Sequence, residues 1–267
     1  MYNFHQFANL SCTHHPQGNW NPAAQMKEKQ AVQDAFTEMS AHYEEVVDGE
    51  LNLFWGWSYQ NFLSELVKHT RIEDNQKILD IATGTSIIPR KLMEQNIPGI
   101  QITGLDITES MLRQGQMKIA AAGHLPDIRL VCGDAMALPY ADGSFDVIVS
   151  GLASHHMDIP LMLSEMKRVL KSNGLLSIID VGTSPIWETR FFQFLARIIA
   201  FLIFLIRENS TRAWAESSAV DNLRTPEGWQ NELAQAGFNN IRIIRLKSKY
   251  SWIPEPLSIQ SKLQQEE

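Results

Sequence analysis

The chain has 267 residues, of which 44% are hydrophobic and 20% charged, and a formal net charge of −7. This length is sufficient for one sizeable α/β core, and the composition is ordinary for a globular protein. The acidic balance and the lack of clustered Lys and Arg exclude a nucleic-acid partner, because phosphate binding requires such clusters. The cysteines, Cys12 and Cys132, do not suggest a disulfide framework and favour a reducing, cytoplasmic compartment.

The N-terminal part divides into two segments. Residues 1–25 are rich in His, Asn, Pro and Gln without periodicity, which predicts a flexible extension, and they do not resemble a secretory signal. We interpret residues 26–267 as a single domain that begins with a helical lid over 26–70. A first helix is predicted up to Tyr43 and a second from about Trp57.

The central part, residues 71–182, alternates short apolar segments with helical patterns over 86–95, 109–122 and 159–171. Strands alternating with helices predict right-handed crossovers and a parallel sheet. We therefore predict an α/β fold with a Rossmann-like, mostly parallel seven-stranded sheet and helices on both faces. The strand candidates are KILDIAT (77–83), QITGLDI (101–107), DIRLVCGDA (127–135), FDVIVSGLA (145–153) and GLLSIIDVG (174–182).

A helical insertion, residues 183–224, follows the fifth strand and is interpreted as a cap. Its most apolar part, IIAFLIFLI (198–206), is nine residues long. A membrane span needs about 20 residues, so no transmembrane helix is predicted. A buried cap helix is favoured, ahead of a wall of the acceptor pocket and then a membrane-touching or dimerising surface.

Residues 225–267 predict a final helix and a C-terminal hairpin. Thr225 is expected to cap the helix and Gly237 to end it. The segments NIRIIRLKS and KYSWIPE, joined by a tight turn near Ser248, are predicted to be the two strands of the hairpin.

Three features after successive strands point to a nucleotide-like ligand, since ligands of open parallel sheets bind at the carboxyl ends of strands. Gly84 and its small neighbours suit close approach of backbone to a ligand, or simply pack a helix on the sheet. Asp106, which follows the second strand, suits the two hydroxyls of a ribose, or is an ordinary helix cap. Asp134, which follows the third, suits an adenine amino group, with Ala135 and Met136 against the ring.

In this combination the sequence resembles the class I S-adenosylmethionine-dependent methyltransferases, most closely the ubiquinone/menaquinone C-methyltransferase group. Residues 80–86, DIATGTS, stand where that family has DxAxGTG, and the resemblance covers roughly residues 34–182. It implies that S-adenosylmethionine is the cofactor. By the same resemblance, the cofactor-binding residues are expected to be Tyr43, Asp80, Ala82, Thr83, Gly84, Thr85, Asp106, Ile107, Met111, Gly133, Asp134, Ala135, Met136 and Ser150.

The implied activity is methyl transfer by in-line displacement to a small or lipophilic organic acceptor, natural-product-like or quinone-like. Ser86 replaces the last glycine of the family motif, which is expected to narrow the room for the cofactor slightly. One alternative is a protein that binds S-adenosylmethionine without methylating, for instance in a cyclisation. A nicotinamide-dependent oxidoreductase is disfavoured because only Gly84 remains of the G-x-G-x-x-G pattern.

His155 and His156 follow the fourth strand and are the candidates for a general base, although a structural role for the pair is the favoured interpretation. Asp158 could orient one of them or cap the helix near Pro160. No metal site is predicted, because the His pair lacks a clear set of partner ligands.

Aromatic residues outside the motif region are candidates for the acceptor pocket. Phe54, Trp55, Trp57 and Tyr59 in the lid, and Phe201 in the cap, could stack on a planar acceptor or could pack the lid and cap against the sheet. The partner class is thus a small-molecule acceptor, with peripheral membrane contact left open and no oligomeric state predicted.

Overall fold

The structure is a computed structural model that describes residues 22–124, 127–251 and 253–264. The strands in this part of the chain form a seven-stranded sheet. They are β1 (Lys77–Ile81), β2 (Gln101–Asp106), β3 (Ile128–Cys132), β4 (Phe145–Gly151), β5 (Leu170–Asp180), β6 (Phe238–Arg245) and β7 (Leu257–Leu263). Their spatial order is β3-β2-β1-β4-β5-β7-β6.

The first five strands are parallel, and β7 runs antiparallel to both β5 and β6. The predicted mostly parallel seven-stranded sheet is therefore confirmed. Ile81 at the end of β1 is in register with Leu105 of β2 and Ser150 of β4. This register brings the carboxyl ends of β1, β2, β3 and β4 to one edge of the sheet, where the loops that carry the motifs begin.

Helices cover both faces of the sheet. Successive strand residues alternate between the two faces, so Ile78 packs in one buried cluster with Phe62, and Leu79 packs in the other with Met162. The helices of the described residues are α1 (Pro22–Met39), α2 (Tyr43–Trp55), α3 (Tyr59–His69), α4 (Ile87–Met93), α5 (Glu109–Ala121), α6 (Ile159–Val169), α7 (Arg190–Arg207), α8 (Ser210–Ala219) and α9 (Pro226–Gln235).

The lid differs from its sequence-based prediction at two points. Residues 22–25, assigned to the flexible extension, form the first turn of α1, and residues 1–21 lie outside the described residues. Gly56, with a φ of 77°, ends α2, and the Ser58 side chain caps α3 by accepting from the Asn61 amide. The lid thus has three helices where two were predicted, because a turn at residues 40–42 ends α1 and α2 lies between the two predicted helices.

The predicted C-terminal hairpin was wrong in its second strand. The partner of β6 is β7, which begins at Leu257, and residues 247–251 and 253 belong to the connecting loop. Pro254 and Pro256 lack the amide that a strand ladder requires, whereas most of β7 is buried. The cap on α9 is confirmed, since the Thr225 hydroxyl accepts from the Gly228 amide at 3.0 Å.

The prediction that the apolar segment 198–206 is a buried cap helix was also wrong. The segment belongs to α7, all of whose residues are described, and none of them is buried. Within the described ranges, no helix combines the length and the apolar character that crossing a membrane requires.

Candidate active site

The turn after β1 carries the first cluster of small residues. Asp80 is fully buried, and its Oδ2 accepts a 2.5 Å hydrogen bond from the Thr83 hydroxyl. Burial raises the pKa of Asp80 to about 8. Ala82 and Gly84 have positive φ angles of 54° and 52°, an uncommon conformation for alanine that turns the chain sharply at the strand end. Backbone and small side chains therefore form this edge of the sheet.

Ser86, in the position of the family's last glycine, turns away from this edge. It is fully buried with a φ of 63°. A Cβ atom at Gly115 of α5 would lie 2.4 Å from the Ser86 Oγ atom. The absence of a side chain at Gly115 therefore makes room for the serine hydroxyl. The sequence-based expectation was that Ser86 narrows the room for the cofactor. In the structure, its side chain instead fills space against α5.

Asp106 joins the turn after β1 to the turn after β2. Its carboxylate accepts from the Gly84 amide at 2.9 Å and from the Thr108 amide at 2.8 Å. Burial raises its pKa above the ordinary value, against the opposing effect of these amides. Nearby, the Ile107 carbonyl accepts from Gln33 of α1 at 3.2 Å, and Met111 is buried in the core beneath this turn.

Asp134 follows β3 at the same edge. Its Oδ2 lies 2.6 Å from Lys29 Nζ of α1, and its Oδ1 accepts from the Met136 amide at 3.0 Å. The Gly133 amide donates to the Asp106 carbonyl at 3.0 Å, which fixes the two acidic turns side by side. Ala135 is buried against the sheet. The two adjacent acidic turns thus both contact helix α1, through Gln33 and Lys29.

The lid lies directly over the first turn. The Thr85 hydroxyl donates to Glu44 of α2 at 2.6 Å. A Cβ atom at Gly84 would be 3.7 Å from the ring of Tyr43, which is buried and has its pKa raised to about 12 by that burial. On the inner side, the Ser150 hydroxyl of β4 donates to the Ile81 carbonyl at 3.0 Å. The sequence-predicted residues around Gly84 are therefore brought together.

A cavity of about 390 Å³ lies beside this edge, between the lid and the cap. Most of its wall is apolar, and a group of ionisable side chains lies on one part of it. The apolar wall includes Phe36, Val47, Leu51, Phe54, Trp55 and Ile203, and the ionisable group consists of Glu50, His155, His156, Arg212 and Glu216.

His155 forms a buried pair with Asp180, the last residue of β5. The His155 Nδ1 atom lies 2.6 Å from the Asp180 Oδ1 atom, and the Ser154 hydroxyl donates to the other carboxylate oxygen. Burial alone would lower the pKa of His155, but the charge and hydrogen bond of Asp180 outweigh it and raise that pKa. Of the two roles predicted for Asp158, the structure shows the helix cap, since its side chain accepts from the Leu161 amide of α6.

Arg212 of α8 is the centre of the ionisable group. Its guanidinium lies 2.9 Å from Glu216 and 3.3 Å from Glu50 and stacks on the ring of Phe36. Burial raises the pKa of Glu50 to about 8. Sequence reasoning missed these residues, because they come from the lid and cap and follow no local motif.

A potential metal-binding group was also missed. The candidate ligand atoms of His155, His156 and Glu216 lie within 4.8 Å of one another. However, the Arg212 guanidinium already contacts Glu216, and His155 is engaged by Asp180. A cation would have to compete with Arg212 for the same carboxylate, so the donor set suits ion pairing better than metal coordination.

The structure separates the candidates for the acceptor pocket. Trp55 lines the cavity, together with Phe54, and its indole nitrogen donates to the Pro254 carbonyl at 2.8 Å. Trp57, Tyr59 and Phe201 are not among the described residues that line it. Trp57 turns toward the Lys247 carbonyl, Tyr59 is buried against Tyr43, and Phe201 packs on Trp214 of α8. Trp57 and Tyr59 thus pack with the buried cluster of the lid, whereas Phe201 packs within the cap and not against the sheet.

The small-residue turn after β1 and the acidic turns after β2 and β3 fit S-adenosylmethionine. Together with the strand order of the sheet, they define a Rossmann-like methyltransferase. The chain belongs to the ubiE/COQ5 methyltransferase family, whose model matches residues 23–248. This match extends beyond the range 34–182 of the resemblance and includes the cap. The protein is thus a methyltransferase that uses S-adenosylmethionine, and the oxidoreductase alternative is excluded.

Curated relatives agree with this assignment. The chain is 28% identical over 231 residues to a demethylmenaquinone methyltransferase of Symbiobacterium thermophilum, covering 82% of this chain and 89% of the relative. It is 29% identical over 226 residues to that of Listeria monocytogenes, covering 81% and 90%.

Among solved structures, the chain is similar to phosphoethanolamine N-methyltransferase 2 of Haemonchus contortus in complex with phosphomonomethylethanolamine and S-adenosylhomocysteine. The TM-score is 0.58 at 16% identity, over 79% of this chain and 54% of the other. At this identity the likeness shows the fold.

Proposed function

We propose that this enzyme methylates a lipophilic acceptor that carries a polar, ionisable head group, in the manner of a quinol. The observation that carries the proposal is the composition of the cavity wall, which is mostly apolar and carries one ionisable group around Arg212 and His155. An apolar wall stabilises a lipophilic ligand through burial, while a few polar groups fix its orientation. The names of the relatives, demethylmenaquinone methyltransferases, support a quinone-type acceptor.

The strand-end groups are assigned to the methyl donor. Asp106 would accept from the ribose hydroxyls and Asp134 from the adenine amino group, with Ala135 and Met136 beside the ring. The turn of residues 82–85 would hold the methionine portion. When bound, S-adenosylmethionine supplies an already activated methyl group, so the protein's main contribution is positioning. The remaining proposed contacts are Tyr43, Asp80, Ile107, Met111, Gly133 and Ser150.

His155 is proposed as the general base. Its Nδ1 atom is engaged by Asp180, so Nε2 is the nitrogen that takes a proton from the acceptor hydroxyl. Loss of this proton makes the acceptor a stronger nucleophile, and the Asp180 carboxylate stabilises the imidazolium that results. Arg212 and Glu50 are proposed to orient the acceptor head group at the same wall.

The proposal is tested with purified protein and methyl-labelled S-adenosylmethionine. The acceptors are a short-chain prenylated naphthoquinol, the same quinol without its tail, and phosphoethanolamine. We expect label in the prenylated quinol and a higher KM for the quinol without a tail. Label in phosphoethanolamine and in neither quinol would overturn the proposed acceptor class.

A pH profile tests the His155–Asp180 pair. Because Asp180 raises the pKa of His155, the imidazole stays protonated at pH values where an ordinary histidine, with a pKa of 6.5, is mostly neutral. A base must be neutral, so kcat/KM should rise with pH through an apparent pKa above that value. Asp180→Asn should lower this apparent pKa, because burial remains and the compensating charge is lost.

Asp158→Asn is the matched control for this experiment. Asp158 lies near the histidines in sequence but caps α6, so its variant should keep the pH profile of the wild type. An unchanged apparent pKa in a folded Asp180→Asn variant would contradict the pairing.

Two neighbouring truncations in α7 test the cavity wall. Ile203 lines the cavity, whereas Leu202 points outward and is 49% exposed. Ile203→Ala removes three carbons, and burial of each contributes about 0.8 kcal/mol, so this variant should raise the acceptor KM by up to about 50-fold. The value of kcat and the affinity for S-adenosylmethionine should change little.

Leu202→Ala should leave the KM for a water-soluble acceptor within about twofold of the wild type, because the lost groups do not contact the cavity. Equal increases in both variants would mean that the wall formed by α7 does not contact the acceptor.

A further inference from the structure

Most of the large hydrophobic residues that are exposed in the described part of the chain lie on helix α7. Of the thirteen large hydrophobic residues found exposed in that part, eight lie on α7, and Phe191, Phe194 and Ile206 are 70%, 64% and 82% exposed. Single exposed hydrophobic residues are normal on a protein surface, but a contiguous group of this size marks an interaction surface.

The exposed residues form one face of the helix. Phe191, Leu195, Ile198, Leu202 and Ile206 follow spacings of three and four residues, which place them along one side. With 18 residues at 1.5 Å each, this face is about 27 Å long. The other side of α7 lines the acceptor cavity through residues that include Ala196, Ala200 and Ile203. The same helix therefore contacts both the cavity and the exterior.

The charge of α7 opposes that of the whole chain. The helix contains Arg190, Arg197 and Arg207, all exposed, and no acidic residue, whereas the chain has a formal net charge of −7. Arg197 lies 2.9 Å from Asp221. Next to the helix, Trp214 is 60% exposed with its ring against Phe201. Arginine beside an apolar face with an adjacent tryptophan is the composition of helices that lie in a lipid interface.

We propose that α7 is a membrane-docking helix that lies flat on an anionic lipid bilayer, with its exposed apolar face among the headgroups and upper acyl chains. One part of the proposal rests on the proposed function: if the acceptor is lipophilic, it can pass from the bilayer along α7 into the cavity. A second copy of the chain fits less well. Parallel packing of two α7 helices sets Arg190 against Arg190, and antiparallel packing sets Arg190 against Arg207, so like charges meet in both orientations.

The test is cosedimentation of the full chain with lipid vesicles, in the absence of acceptor and cofactor. Vesicles of phosphatidylcholine with phosphatidylglycerol are compared with vesicles of phosphatidylcholine. We expect binding to the anionic vesicles, weaker binding to the neutral ones, and weakening by high salt. The double variant Ile198→Glu/Leu202→Glu should lose about tenfold or more in partitioning.

Met117→Glu/Leu161→Glu is the matched control, because these two apolar residues are similarly exposed but lie on α5 and α6. It should bind vesicles like the wild type. Absent binding by the wild type, or equal binding by both double variants, would overturn the proposal. A lipid-free dimer that the α7 variant dissociates, seen by light scattering, would assign the face to a second copy instead.

Because vesicle binding is measured without turnover, its failure is distinct from failure of the proposed acceptor class. Methylation of a water-soluble quinol, which needs no bilayer, should be retained by the Ile198→Glu/Leu202→Glu variant, whose altered side chains point away from the cavity.

Discussion

Replacing His155 with alanine is expected to lower kcat by about a hundredfold to ten-thousandfold, the usual contribution of general acid–base catalysis. The variant keeps the apolar wall of the cavity and the strand-end turns, so affinity for S-adenosylmethionine should stay near the wild-type value. Calorimetry gives this affinity, and single-turnover methylation of the quinol gives the rate. Added imidazole should restore part of the rate if the lost group is a base.

His69→Ala is the control for the loss of a partly buried histidine. His69 lies on α3, within 3.3 Å of Ser258 of β7, and is not among the described residues of the cavity wall. Its variant should lose stability and keep kcat. A folded His155→Ala variant with wild-type kcat, or with a reduced kcat that imidazole does not restore, would assign His155 a structural role.

Replacing Asp106 with alanine is expected to weaken S-adenosylmethionine binding by about 10- to 150-fold. This range corresponds to about 1.5–3 kcal/mol, the scale of hydrogen bonds to a charged group. The carboxylate also holds the Gly84 and Thr108 amides, so part of the loss would come from a looser turn. Asp106→Asn, which keeps an acceptor oxygen, should lie between the wild type and the alanine variant.

Asp146→Ala is the control that separates a loss of S-adenosylmethionine affinity from a general loss of stability of the sheet. Asp146 also accepts from a backbone amide, that of Lys77 at 2.9 Å, and it pairs with Lys171, but it lies at the beginning of β4, away from the ligand edge. Its variant should lower the melting temperature with little change in S-adenosylmethionine affinity. Equal losses of affinity in the Asp106 and Asp146 variants would remove Asp106 from the proposed site.

The sheet and its acidic turns could be predicted from the sequence because their signals are local. Each parallel strand is a short apolar segment, and Asp106 and Asp134 directly follow such segments. Since parallel strands end at one edge, chain position alone places these acids together. The Thr225 cap is equally local, as its hydroxyl reaches an amide three residues along the chain.

The ionisable group of the cavity could not be predicted in this way. Asp180 is 25 residues from His155 in the chain, and Arg212 contacts Glu50 from 162 positions away. These contacts depend on how the lid and cap pack across the sheet, which no local spacing encodes. Asp158 was the nearer candidate in sequence, but its side chain satisfies the first turn of α6.

The exposure of α7 could not be predicted from its hydropathy alone. Its apolar residues surround the helix, and such a pattern predicts burial whether the surrounding medium is protein or lipid. In the fold, one side faces the cavity and the other the exterior. Only the arrangement of neighbouring elements shows that no described segment covers the second side.

The position of β7 sets the order in which this fold can be completed. β7 follows β6 in the chain but lies between β5 and β6 in the sheet, so Leu175 pairs with Lys262, 87 positions later. Until that pairing forms, β5 keeps an open edge of backbone donors and acceptors, and β6 has no neighbour in the sheet. Such distant pairing carries a large loop-closure entropy and slows folding. The strand that presents Asp180 to His155 is thus among the last to be enclosed, and an incompletely folded chain exposes this edge to aggregation.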